Sequence, residues 1–68
     1  MTTFRKGNKV SWRSHGTTVL GTVLGRVTRA TKLAGRSVKA SKDEPQYHVR
    51  SDKTGRDAVH KPGALRSR

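Results

Sequence analysis

The chain has 68 residues, room for one small domain that buries only about 60% of its unfolded surface. Sixteen Lys and Arg against four Asp and Glu give a formal charge of +12, and Cys is absent, which excludes disulfides and thiolate zinc sites. So one-sided a charge costs folding energy through self-repulsion and points to a polyanionic partner. No apolar run approaches the ~18 residues of a membrane span and no signal-peptide core follows Met1, so a cytoplasmic protein with no membrane partner is expected.

Strand signals dominate in chain order. "KVSWRS" alternates, with Val10 and Trp12 on one stripe and Lys9, Ser11 and Arg13 on the other. "SHG" breaks the run as a turn. "TTVLGTVLGRVT" is a long β-branched stretch, apolar on both stripes: Val19, Gly21, Val23, Gly25 and Val27 on one, Leu20, Thr22 and Leu24 on the other. Such a strand is expected to bend at Gly21 or Gly25, so that each half meets the core with a different stripe. "RATKLAGR" reads as an exposed basic connection or hairpin tip, and "RSVKA" as a strand centred on Val38. "SKDEP" is a polar turn closed by Pro45, with Asp43 expected to cap backbone N–H groups or pair with a Lys. "QYHVRS" alternates again, with Tyr47 and Val49 together. "DKTG" is a hairpin turn, "RDAVH" a fifth strand, and "KPGAL" a Pro-led closing turn with Leu65 as a plug. "RSR" reads as a frayed tail.

The expected architecture is therefore all-β: a small five-stranded SH3-like barrel with a closing turn near the C-terminus. It forms a single domain over 1–68, with an ordered core at about 4–65 and a basic tail at 66–68. The expected core contains Val10, Trp12, Val23, Val38, Tyr47, Val49 and Leu65.

Taken together, "FRKGNKVSW", "GTVLGRV" and "VKASKDEPQYHVRSDKTGRDAVHKPGAL" closely resemble the hypervirulence-associated protein Tudor-domain family over Phe4 to Leu65. The specific part is "ASKDEPQYHVRSDKTG". The resemblance implies a Tudor-like five-stranded barrel and carries no site residues with it. One departure is Gly7-Asn8, where the family commonly has Gly-Asp; Asn can make the same turn while removing a negative charge.

No enzymatic reading survives. Asp43 and Glu44 are adjacent and point to opposite sides of an extended chain, so they cannot work as a carboxylate pair, and no nucleophile elbow accompanies the Ser, His and Asp residues. His15, His48 and His60 match no zinc-ligand spacing. A methyl-lysine cage needs several exposed rings, and the chain has only Phe4, Trp12 and Tyr47, of which Trp12 and Tyr47 share the apolar stripes of Val10 and Val49. Neither metal, cofactor nor small-molecule substrate is expected.

The basic surface remains. Lys9 and Arg13 share the outward stripe of the first strand; Arg26 and Arg29 lead out of the long strand, Lys32 and Arg36 lie in the connection and Lys39 leads into the next strand, with no acid among these five. These seven form the expected nucleic-acid-binding set, making phosphate contacts with DNA or RNA without sequence readout. The alternative is a protein–protein interaction module that takes a peptide or an acidic protein partner.

Overall fold

The computed structural model describes residues 4–33 and 35–68. The strands are β1 (Lys9–Ser14), β2 (Thr17–Val27), β3 (Thr31–Leu33), β4 (Arg36–Val38), β5 (Gln46–Ser51), β6 (Asp57–His60) and β7 (Arg66–Ser67), with a 3₁₀ turn at Pro62–Ala64. All pairings are antiparallel.

The hairpins follow from turn chemistry. Ser14 and Thr17 pair directly, leaving His15 and Gly16 as a two-residue loop with both φ positive, 51° and 78°. That is the type I′ geometry whose twist matches the flanking strands. The Arg5–Asn8 turn is closed by the Asn8 N–H on the Arg5 carbonyl, 2.9 Å, and by the Arg5 N–H on Asn8 Oδ1, 2.8 Å. Asn8 thus makes the turn expected of it. At Ser41–Glu44 the closing side chain is Ser41, whose Oγ accepts the Glu44 N–H at 3.1 Å. The role expected of Asp43 falls to Ser41, whose hydroxyl is the group placed to receive that N–H.

The expectation of a closed SH3-like barrel is overturned. Five strands form an open sheet in the order β6-β5-β2-β1-β7, and β3 and β4 form a separate two-stranded ribbon. The "RSVKA" segment, expected as a stave, pairs instead with Thr31–Leu33. Its place in the count of five is taken by the tail read as frayed: Arg66 and Ser67 pair with Ser11 and Val10. This two-residue strand covers only part of the edge of β1, and among the described residues β6 has no strand partner beyond β5. Closure requires continuous pairing between the two edge strands. Here the sheet curls far enough to set the Trp12 and His60 rings 5.3 Å apart, but no backbone ladder joins β1 to β6.

β2 organises both faces. Its first half pairs with β1, Thr17 to Thr22, and its second with β5, Gly21 to Val27, with a register shift between Val23 and Gly25. Leu24 is the extra residue. Directly opposed residues point to one face of a sheet, so Val23 opposite Val49 faces one way, and Val27 opposite Gln46 faces the other. The two halves do address different cores, but with the same odd-numbered stripe. The main core holds Phe4, Val10, Trp12, Val23, Tyr47, Val49 and Leu65. The second, on the outer face under the ribbon, holds Val27, Val38, Ala40 and Val59, with Leu33 against them. Gly21 is required where the Trp12 ring crosses β2: a Cβ there would overlap the ring and stand 2.5 Å from the Arg50 carbonyl oxygen.

Candidate functional site

The seven cations singled out by the sequence fall into two groups. Lys9 and Arg13 lie along the first half of β2, opposite Thr22 and Thr18. Arg26, Arg29, Lys32, Arg36 and Lys39 occupy the end of β2 and the ribbon, and all five are exposed. Val38 and Leu33 pack the ribbon onto the second core, so its cations ride on a docked element. Among the described residues none of these five has a carboxylate partner.

The acids on the sheet are already engaged. Asp52 accepts the Thr22 hydroxyl at 2.8 Å, is bound by Arg68, and stands 3.8 Å from the Lys9 ammonium. The Thr22 hydroxyl foremost, helped by Arg68 and Lys9 against a desolvation cost, holds this carboxyl below its ordinary value. The Lys9 ammonium also donates to Thr22 at 2.9 Å, with its side chain 57% exposed. Asp57 accepts from Arg50 Nε at 2.8 Å and meets His48 Nε2 at 2.9 Å; those bonds, Arg50's first, lower its pKa, and Asp57 raises that of Arg50. Neither cluster was visible in the sequence, because Lys9, Thr22, Asp52 and Arg68 come from four separate segments.

The rings are consumed by packing. Phe4 and Tyr47 meet edge to face at 5.3 Å, and the Tyr47 hydroxyl accepts the Phe4 N–H at 3.3 Å. Trp12 is 6% exposed, Phe4 3% and Tyr47 2%. Such rings offer no stacking platform for bases. His60 lies against Trp12, and its pKa is pushed down by burial first and by the nearby Arg36 second. Among the described residues no three His, Asp or Glu side chains gather as a metal site would require, and no helix is long and apolar enough to cross a membrane.

Two clefts flank the β5–β6 turn. One, about 430 Å³, runs past Thr18, Leu20, Lys53, Thr54 and Arg68. Its Leu20 is 49% exposed, the one large hydrophobic residue so exposed among the described residues. The other lies over Trp12, Val19 and Ala58, rimmed by Ser14, Thr54 and Arg56. It opens at the seam between β1 and β6. Sequence reasoning missed both, since alternation identifies an apolar stripe without showing where a sheet stops short of closing.

The family model described as "Hypervirulence associated proteins TUDOR domain" matches residues 7–65. No curated protein and no solved structure was found to match the chain.

Proposed function

Since the chain belongs to the hypervirulence-associated protein Tudor-domain family, we propose that it is a non-enzymatic interaction module that docks an acidic segment of a partner protein. The observation that carries this reading is the unclosed sheet. Its free strand edges and apolar clefts offer contacts that a polypeptide can use and a sugar–phosphate chain cannot. The charge supplies the sign of the partner: the sheet's own carboxylates are engaged, while Arg26, Arg29, Lys32, Arg36 and Lys39 have none. Complementary charge speeds encounter and rejects basic partners.

Those same five cations support nucleic acid as the second reading. Salt separates the two. A complex made of six or so phosphate contacts loses about 10³-fold in affinity between about 50 and 200 mM salt. An acidic peptide carrying apolar residues is expected to lose far less, because its buried apolar area is not screened. Titration of the protein with such a peptide and with duplex DNA across this range is the test. Peptide binding that falls as steeply as DNA binding, or is absent at the lowest salt, overturns the interaction reading.

A further inference from the structure

Resting on the acidic-partner reading above, we infer that the partner's segment docks on the outer face of the sheet at Leu20, with an apolar side chain in the cleft there and carboxylates on Arg13, Arg66 and Lys53. The ladder brings these residues together. Ser11 pairs with Leu20 on one side and with Arg66 on the other, and Arg13 pairs with Thr18. Directly opposed residues share a face. Arg66, Ser11 and Leu20 therefore form one row across three strands, with Arg13 and Thr18 in the row beside it, on the face turned away from Val10 and Trp12. Arg66 stands two strand spacings, about 10 Å, from Leu20 at the backbone. On the other edge of β2 the Asp52 N–H donates to the Leu20 carbonyl at 2.9 Å, which sets the β5–β6 turn and Lys53 alongside the cleft.

This face is covered at one end and open at the other. The ribbon closes over Val27 and Val59 through Val38 and Leu33. At the open end Leu20 is 49% exposed, on a cleft of about 430 Å³ whose surface is mostly apolar. That volume falls within the range of about 300–1,000 Å³ typical of clefts that take ligand groups. Arg68, which lines the cleft, is bound by Asp52 and donates to the Gly21 carbonyl at 3.3 Å, so that wall is held in place. An apolar side chain set here removes its own surface and that of Leu20 from water together.

Charge selects the occupant. Arg13, Arg66 and Lys53 are exposed and have no carboxylate partner among the described residues. Asp52 is the one carboxylate lining the cleft among those residues, and Thr22, Lys9 and Arg68 engage it. Asp43 and Glu44 border a different cleft, with Pro45 and Pro62. An apolar side chain flanked by acidic ones thus meets apolar surface at its centre and unneutralised cations around it. A sugar–phosphate chain would match the cations and leave Leu20 without a partner. A second copy of this chain would bring another +12 to the same face and is opposed by repulsion.

The probe is a short capped peptide with one Leu between Glu residues, set against the same peptide with Ser for that Leu, which keeps the charge and removes the apolar side chain. Binding is read by anisotropy at low salt and mapped by amide chemical shifts on the unaltered chain. The Leu peptide is expected to bind about tenfold more tightly than the Ser peptide and to shift Thr18, Leu20, Lys53 and Thr54. Leu20→Ser should remove that preference, so that the two peptides bind alike, a coupling that charge by itself does not produce. Lys53→Glu should weaken both peptides about fivefold or more. Both side chains are exposed and Lys53 makes no ion pair among the described residues, so these variants retain the fold, and the shift map decides the site without them. Equal affinity of the unaltered chain for the two peptides, or shifts confined to the ribbon, overturns the Leu20 site and leaves the acidic-partner reading standing. Failure of both peptides to bind overturns that reading, and the site with it. A concentration-dependent dimer that Leu20→Ser abolishes assigns the cleft to a second copy and overturns the inference.

Discussion

The two cores of this domain sit on opposite faces of one sheet and are built differently. The main core joins three aromatic rings to Val10, Val23, Val49 and Leu65, drawn from β1, β2, β5, the segment before β1 and the closing turn. Among the described residues the second has Val27, Val38, Ala40 and Val59, with Leu33, and holds down a ribbon of two three-residue strands. Apolar area decides the difference: rings bury roughly 150–250 Å² each, and small aliphatic side chains far less. The main core is therefore the part that makes the domain fold. The ribbon is the part that can loosen while the sheet persists.

The largest test of that contrast is Trp12→Ala. It should cost about 3–5 kcal/mol, close to the whole stability of so small a domain, and abolish a cooperative urea transition monitored by circular dichroism. Next is Val38→Ala, expected to cost roughly 1–3 kcal/mol, mostly within the ribbon. Amide exchange should speed up across Thr31–Val38 while Val10, Val23 and Val49 keep their protection. Equal acceleration at both would show the two cores to be a single cooperative unit.

The smallest effect is a pH step that links the two regions. His60 packs on Trp12 in the main core, and Arg36 belongs to the ribbon. Its pKa is lowered in the fold, by burial foremost, so the unfolded chain takes up the proton first. Stability is then full above the ordinary His value of about 6.5, declines as pH falls through it toward the folded value, and levels off below. Urea midpoints between about pH 8 and pH 5 should show this decline. His60→Phe should remove it, and Arg36→Gln should shrink it. A decline unchanged in His60→Phe would assign the step to another group.

Much of the strand content was legible because alternation in "KVSWRS" and "QYHVRS" needs no tertiary information. Tyr47 and Val49 lie on the inward stripe, and Val10 and Trp12 do likewise. The hairpin turns were legible for the same reason, since His15-Gly16 and the segment up to Gly55 carry their own backbone chemistry. The barrel was not. The segment around Val38 reads as a strand, and a strand pattern does not name its neighbour; "RSR" lacks the apolar alternation of a strand, yet Arg68 anchors it through Asp52 and the Gly21 carbonyl. The seam and its cleft were hidden with it, because they exist only where pairing ends. The cations were plain in composition, but the contacts of Lys9 with Thr22 and Asp52 depended on an approach across the sheet.

What the residues alone determined is local: the period of two that makes strands, the turns between them, the apolar stripes and the excess of positive charge. What only the tertiary structure decided is which face each stripe serves and whether the sheet closes. A single extra residue at Leu24 shifts the register by one and sends Val27 to the opposite face from Val23. A side-chain period of two cannot announce such a shift, because it arises from the pairing partner and not from the strand itself.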